Sequence, residues 1–484
     1  MRGMFRTARR RTFRIAATVG LWLCASVPFA QESAEARPPR EGAEEAAGQE
    51  ADPAEAPDAE PPVPALTPEA VLAEFDSRTS RNVWPGFRSG EIPIAIFDGE
   101  DTWLARHPAP PEDFAAAEGA AGLLVHEGRH PDLRADGPIE LAGRWTAALL
   151  AHEEGATLEG LTGTLIRAAF HVYQEQEESL VVPDHHQLCD YPTEDADALT
   201  GRRLELAALR HAVVSKLEDD AAAWARRAIG IREKRYETLS KQALIYERQL
   251  EEYEGLARYT EVRSMRQSPR DLVPEKGFAP DAVLDRAAVT GAVFAILLDR
   301  FDRGWKTTWA DSSASLEERL TERLEGSSNA VVHALTPGER VAIVDAAVLD
   351  AAYHRVALED ERDEYLGKSG WTLRINAETQ KLLPQFFDPL HVKRMRHGEV
   401  MHSRRLVLEN ELGTVSIEGR KVLTQTSAKR TLADGVERVI LTGFRKRPET
   451  SEEDGVVTIT APGLELTFRD AELREGEELL VLEF

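Results

Sequence analysis

The stretch from residue 158 to 176 predicts a helix that is apolar over most of its circumference. On a period of 3.6 residues, two apolar stripes run along it and a narrow polar stripe lies between them. The apolar stripes are Leu158, Leu161, Leu165, Ala168 and Val172, and then Ile166, Phe170 and Tyr173; the polar stripe is Thr164, Arg167, His171 and Gln174. Both apolar stripes can be covered only in the centre of a domain. The polar stripe must then face a cleft or a partner.

The patterns around this central helix predict an α+β fold. Strand-like stretches precede it at 92–97, 101–107 and 139–151, and the last of these has a turn at Ala142-Gly143. After it, a proline-free run at 202–262 predicts two long helices, and further helices are expected at 281–305 and 337–366. Strand-like segments separated by glycine-containing turns fill the last hundred residues, which predicts a small all-β, sandwich-like domain. We therefore expect a mixed strand and helix domain at 67–383 and a β-rich domain at 384–484.

The N-terminal residues predict export. Residues 1–14 carry six arginines and no acid, and residues 15–30 are apolar and end in small side chains. This is typical of a secretory signal peptide, 1–30, for a periplasmic or secreted protein, and an uncleaved signal would act as a membrane anchor. Residues 31–66 are rich in alanine, proline and glutamate and have no aromatic side chain, which predicts a disordered acidic linker.

Charge and cysteine content limit the partners and the chemistry. The formal net charge is −25, which argues against nucleic acid and against strong binding to anionic membranes. One of the two cysteines, Cys24, falls in the predicted signal peptide, so Cys189 has no partner for an intramolecular disulfide. The sequence does not determine the oligomeric state.

The stretch VHEGRH, residues 125–130, spells the zinc-binding pattern HExxH. That chemistry requires a helix, which places the two histidines one turn apart with the glutamate as general base. Here Pro131 disfavours a helix at His130, and Gly128 costs about 1 kcal/mol relative to alanine. If His126 and His130 lay on one strand they would be about 13 Å apart, too far for one metal. We therefore expect a strand end and a turn, and keep His126, Glu127 and His130 as secondary site candidates.

A better context for a site lies in the central helix and in a later one. In QLEEYEGLARYTE, helical spacing puts Glu247, Glu251, Glu254 and Arg258 on one face. The stretch EGLARY, which follows a strand region, a central helix and a long helical insertion, resembles the third-ligand helix of gluzincin-type zinc metallopeptidases. The resemblance covers residues 85–310, and it extends to 289–306, which is similar to the helix that packs behind such sites.

The resemblance implies a degenerate site. In that family the central helix reads HExxH and a later glutamate completes the zinc site. On this pattern His171 takes the second histidine and Glu254 the distal glutamate, whereas Arg167 and Ala168 replace the first histidine and the catalytic glutamate. Catalytic zinc needs three protein ligands, a guanidinium group cannot supply one, and alanine cannot activate water. We therefore expect a non-catalytic pseudopeptidase that has no cofactor. Its cleft is expected to bind a peptide or protein. We also expect Arg167 to pair with Glu254 where zinc would lie.

Two alternatives stay open. An active zinc hydrolase would have to recruit other ligands, from His126 and His130 or from His185 and His186 in the loop PDHHQLCD, with Glu251 as a further candidate. A structural or scaffold protein of the envelope would use the acidic linker as a tether and would not depend on the cleft.

Overall fold

The computed structural model describes residues 66–151, 155–177, 182–309, 312–325, 332–396, 398–427 and 431–484. The predicted signal peptide and residues 31–65 of the predicted linker lie outside the described residues. The α-helices are α1 (Pro68–Thr79), α2 (Leu158–Gln176), α3 (Ala196–Val214), α4 (Glu218–Tyr236), α5 (Lys241–Met265), α6 (Pro269–Leu272), α7 (Val283–Phe301), α8 (Leu316–Glu325) and α9 (Pro337–Leu366).

A six-stranded sheet precedes the central helix. Its strands are β1 (Ile94–Phe97), β2 (Thr102–Ala105), β3 (Ala115–Ala116), β4 (Leu123–His126), β5 (Gly137–Leu141) and β6 (Arg144–Leu150). They lie in the order β3-β4-β2-β1-β6-β5, and all neighbours are antiparallel except β1 and β6, which are parallel. The predicted turn between β5 and β6 is confirmed, because Ala142 and Gly143 both have positive φ, as a two-residue hairpin turn requires.

Helix α2 is central, as its two apolar stripes predict. Thr157 caps its N-terminus by accepting a hydrogen bond from the Gly160 N–H, at 3.1 Å. One side of the helix packs on β5 and β6 and another on α5. Leu165, Ile166 and Phe170 are fully buried in one hydrophobic core with the sheet and with α5 and α7.

The proline-free run at 202–262 forms parts of three helices, α3, α4 and α5, so the prediction of two helices was wrong. The chain leaves the helix at Ser215–Leu217 and again at Glu237–Ser240. Local signals for both restarts exist without proline: Glu218, Asp219 and Asp220 form an acidic first turn of α4, and Ser240 caps α5.

The C-terminal region is all-β and contains two stacked sheets. Its strands are β7 (Trp371–Asn376), β8 (Leu383–Phe387), β9 (Val392–Arg394), β10 (Glu399–His402), β11 (Arg405–Asn410), β12 (Gly413–Glu418), β13 (Val422–Gln425), β14 (Arg438–Phe444), β15 (Glu449–Glu453), β16 (Val456–Ala461), β17 (Leu464–Arg469), β18 (Glu472–Gly476) and β19 (Leu479–Glu483). One sheet has the order β18-β19-β7-β14-β13-β10-β9 and the other β15-β16-β17-β12-β11-β8. Residues of both sheets, such as Leu373 and Leu466, share one core. The first strand, β7, lies within the segment 67–383 that was assigned to the larger domain.

Helix α9 connects the helical part to the β domain. Ala347 and Ala351 pack on Leu199 of α3, whereas Val341, Val348, Leu349, Tyr353 and Val356 are exposed on the outer face. At its C-terminal end Arg362 forms a two-pronged ion pair with Glu399 of β10. Among the described residues, none of the helices is long and apolar enough to cross a membrane.

Candidate functional site

The polar stripe of α2 faces α5, and the two helices run antiparallel. Gly163 of α2 lies against the Glu261 side chain, His171 lies against Glu254, and Gln174 reaches the main chain of Tyr253. The sequence analysis expected the stripe to face a cleft or a partner, and the structure places it against α5 of the same chain. The stripe is buried along its length: Arg167 is 7% exposed, His171 3% and Gln174 2%.

The orientation of His171 is determined by Gln174. The Gln174 side-chain amide N–H donates to the Tyr253 carbonyl oxygen at 3.0 Å, so its amide oxygen faces His171 Nδ1 at 2.8 Å and accepts from it. The ring also stacks on that of Tyr253, with centroids 4.5 Å apart. His171 Nε2 consequently points at Glu254 Oε2, 3.4 Å away. Two ligands of one tetrahedral zinc would have about this separation, given metal distances near 2.1 Å.

Arg167 is paired with Glu261, whereas the sequence analysis placed it against Glu254. Its Nε lies 3.1 Å from Glu261 Oε2, and the hydroxyl of Thr164 accepts a hydrogen bond from its Nη2 at 3.3 Å. The reason is the antiparallel register: Arg167 lies one turn before His171 on α2, so its partner lies beyond Glu254 on α5. Arg258 also pairs with Glu261. The carboxylate thus holds two guanidinium groups.

The donor set around His171 does not fit a catalytic zinc ion. His171 and Glu254 would supply two ligands, but the residue one turn before His171 is a paired arginine, which has no lone pair to offer. Ala168, at the general-base position implied by the resemblance, is 2% exposed and belongs to the hydrophobic core. Within the described ranges, no group of three or more histidine, cysteine, aspartate or glutamate side chains has the geometry of a metal site.

Two carboxyl groups near this site were missed by the sequence analysis. Burial raises the pKa of Glu175, which accepts a hydrogen bond from the Tyr253 hydroxyl at 2.8 Å. Burial also raises the pKa of Asp285, and the charge of Glu254 raises it further, while Arg167 lowers it. Asp285 lies in the first turn of α7, where an acidic residue stabilises a helix, so its sequence position suggested no other role.

His185 and His186 point in opposite directions, as expected for neighbours. His185 faces the helices: its Nδ1 lies 2.9 Å from the Tyr246 hydroxyl, and burial lowers its pKa to about 3, although the Glu254 carboxylate acts to raise it. His186 faces Asp184 and packs against Phe387 of the β domain. The structure therefore brings His185, but not His186, towards Glu254.

Glu251 belongs to a different cluster, although it shares a helix face with Glu254. It forms a two-pronged pair with Arg232, which is fully buried and also contacts Glu205 at 2.6 Å. Glu247 pairs in the same way with Arg235. The face of α5 meets α4 in its first half and α2 in its second, so Glu251 belongs to an ion pair between helices and does not line the candidate site.

The VHEGRH stretch is a strand end and a turn, as predicted. Strand β4 ends at His126, and Gly128 has a φ of +77°. Because the chain turns there, the two histidines do not lie on one strand, and the His126 and His130 ring centroids are 5.0 Å apart. Both rings face one carboxylate, Asp113 Oδ2, at 3.2 and 3.4 Å. Glu127 is exposed.

A cavity of about 340 Å³ lies beside the candidate site, between the helices and the β domain. Asp281 and Asp285 line it from the helical side, and Lys393 and Arg394 line it from β9. Leucines 188, 358 and 390 add apolar surface. Its size and mixed lining are within the range of ligand pockets. A larger cavity of about 970 Å³, between α3 and α9, lies away from these residues.

Comparison with protein-family models, with curated proteins and with solved structures finds no match in any of the three. The site therefore has to be interpreted from its own residues.

Proposed function

We propose that this chain is an exported, metallopeptidase-like protein without catalytic zinc, and that it binds a peptide or protein segment in the vestigial active-site cleft. The observation that carries the proposal is the placement of His171 Nε2 3.4 Å from Glu254 Oε2 across α2 and α5. These are the two residues that the gluzincin pattern retains in this sequence. The neighbouring Arg167 and Ala168 cannot bind a metal or activate water.

The cavity beside the site supports a peptide as the ligand class. Asp281 and Asp285 offer negative charge on one wall, and Lys393 and Arg394 offer positive charge on the other. A segment with both an amino and a carboxylate group could pair with each wall while its side chains contact the leucines. The wall on the β side comes from β9, which gives the C-terminal domain a part in binding.

A matched pair of lysines tests whether a peptide binds in this cavity. Lys393 and Lys421 both form ion pairs with Glu361, at 2.8 and 2.6 Å, but only Lys393 lines the cavity. We expect the protein to bind synthetic hexapeptides with free termini, measured by fluorescence polarisation at fixed ionic strength. Lys393→Ala should weaken binding about fivefold, whereas Lys421→Ala should leave it unchanged. Equal losses in both variants, or no binding by the wild type, would overturn the peptide proposal.

A further inference from the structure

A third cavity, of about 470 Å³, concentrates positive charge. It lies between the loop at 129–134 and the β domain, and four of its lining side chains are arginines: Arg129, Arg134, Arg404 and Arg405. We call it the arginine cavity. The chain carries 84 acidic against 59 basic side chains, so a cluster of four arginines runs against the overall balance. Asp388 and Glu418 are the acidic residues of the lining, which leaves an excess of positive charge.

The guanidinium groups are held in place by contacts that leave donors available. Arg404 is anchored, because its Nη2 donates to the Arg134 carbonyl oxygen at 2.7 Å and its Nη1 lies 3.4 Å from Asp388 Oδ2. Arg129 and Arg134 each donate through Nε to a carbonyl oxygen of their own loop, at 2.6 and 3.1 Å. Arg405 stacks on the Phe386 ring, 4.6 Å from its centroid. Within the described part of the chain, the Nη groups of Arg129, Arg134 and Arg405 donate to no protein acceptor.

These charges also act on one another. Burial lowers the pKa of Arg129 and the charge of Arg404 lowers it further, whereas Asp136 and Glu418 raise it; burial and Arg134 lower the pKa of Arg405, and Glu418 raises it. Like charges held together in a partly desolvated cavity favour the entry of an anion, because Glu418 and Asp388 supply fewer negative charges than the four arginines supply positive ones. Asp388 neutralises little of the positive charge of Arg129, Arg134 and Arg405, since it already pairs with Arg404 and with His391.

We propose that the arginine cavity is an oxyanion-binding site, which takes a phosphate or a carboxylate group between Arg129, Arg134 and Arg405. A guanidinium group presents two parallel N–H donors, which match two oxygens of such a group. The site is separate from the vestigial cleft and does not depend on the proposed function. Because one wall comes from the loop at 129–134 and the other from the β domain, a bound anion would also tie these two parts of the molecule together.

Titration calorimetry with inorganic phosphate and, separately, with citrate tests the proposal, each at an ionic strength held constant with sodium chloride. We expect saturable binding of at least one of the two, and the tighter one identifies the source of the oxyanion. Arg405→Gln should weaken binding about tenfold, as the loss of a charge-assisted contact does. Glu418→Gln should strengthen it, because it removes a negative charge from the wall.

The matched control is Arg420→Gln. Arg420 also stacks on a phenylalanine of the β domain, 4.0 Å from the Phe444 centroid, and burial also lowers its pKa, but it does not line the cavity. Its substitution should leave the affinity unchanged. The proposal is overturned if neither phosphate nor citrate binds saturably, or if Arg420→Gln weakens binding as much as Arg405→Gln does.

Discussion

At the scale of single residues, position 167 decides the chemistry of the candidate site. A guanidinium group held by Glu261 stands one turn before His171, where the zinc peptidase pattern requires a ligand with a lone pair. The sequence was sufficient to predict that Arg167, His171 and Gln174 share a stripe, because helical periodicity fixes which residues share a face. It could not identify the partner of Arg167, because that depends on the register between α2 and α5.

The role of Glu251 could not be predicted for the same reason, because it also depends on how neighbouring helices pack. Helical spacing put it on one face with Glu254, and that spacing is correct. What the spacing could not show is that α5 meets Arg232 of α4 at Glu251 and His171 of α2 at Glu254. Two residues one turn apart therefore belong to a structural ion pair and to the candidate site.

A buried histidine of the β domain predicts how stability depends on pH. Burial lowers the pKa of His402 from its ordinary 6.5 to about 3, so the folded state keeps the ring neutral. As the pH falls from 6.5 towards 3, the unfolded chain binds a proton that the folded chain does not, and stability is lost at about 1.4 kcal/mol per pH unit. His402→Gln keeps a polar partner for Thr424 but does not titrate.

Urea unfolding of the β domain at pH 6, 5 and 4 checks this. The loss of stability per pH unit should be smaller in His402→Gln than in the wild type by about 1.4 kcal/mol. Parallel curves for the two proteins would show that the ring is protonated in the fold.

At the scale of elements, α5 and α7 approach each other closely enough that only glycine fits at the crossing. A Cβ atom on Gly291 would lie 1.9 Å from the Glu251 carbonyl oxygen, and one on Gly255 would lie 2.5 Å from the Gly291 Cα atom. Glu254 of α5 directly precedes Gly255 at this crossing, and Asp285 lies in the first turn of α7. The spacing of the two helices therefore positions the acidic groups of the candidate site.

We expect Gly291→Ala to push α5 and α7 apart and to lower the free energy of unfolding by about 1–3 kcal/mol, as overpacking does. The control is Gly230→Ala in α4, where a Cβ atom would meet nothing within 4 Å. That substitution should stabilise the protein by about 0.5–1 kcal/mol, because alanine is the better helix former. Thermal unfolding of both variants measures these opposite changes in stability. If Gly291→Ala stabilised the protein, the close approach of α5 and α7 at Gly291 would be contradicted.

Element prediction succeeded where periodicity was long and failed where a break was subtle. The strands β1, β2, β5 and β6 and the helices α2, α7 and α9 follow their sequence patterns. Two breaks interrupt the run at 202–262 where one was expected, because no proline or glycine marks either of them, although the acidic first turn at Glu218 is a usable signal for the start of α4.

At the scale of the whole molecule, α9 holds the helical part and the β domain together. The Tyr365 hydroxyl lies 3.0 Å from the carbonyl oxygens of Lys421 and Ile440, and the Tyr365 carbonyl oxygen accepts from the Thr442 hydroxyl at 2.7 Å. The order of strands in the two C-terminal sheets could not be predicted, because pairs such as β7 with β19 join strands about a hundred residues apart in sequence.

Tyr365→Phe should lower the free energy of unfolding by about 1–3 kcal/mol, because it removes the hydroxyl donor that the part-buried carbonyl oxygens of Lys421 and Ile440 share. It should also speed hydrogen exchange in the last turns of α9. Tyr353→Phe is the control: Tyr353 lies on the same helix, is 66% exposed and should tolerate the change. Equal exchange rates in the two variants would show that Tyr365 does not dock the helix.

The measurement that tests the central claim most directly is the zinc content of purified wild-type protein and of Arg167→His. The variant places a histidine one turn before His171 on the same face of α2, where it would add a third ligand to His171 and Glu254, and Glu261 keeps Arg258 as its partner. Ala168→Glu is left out because a carboxylate at that core position would be costly. Arg258→His is the control, since it removes the other arginine that pairs with Glu261 without adding a ligand to α2.

The account predicts that the wild type and Arg258→His contain no stoichiometric zinc and that Arg167→His takes up about one zinc ion per chain, as three well-placed ligands should. If the wild type already holds one zinc ion, or if Arg167→His folds and takes up none, then Arg167, His171 and Glu254 do not mark a vestigial zinc site.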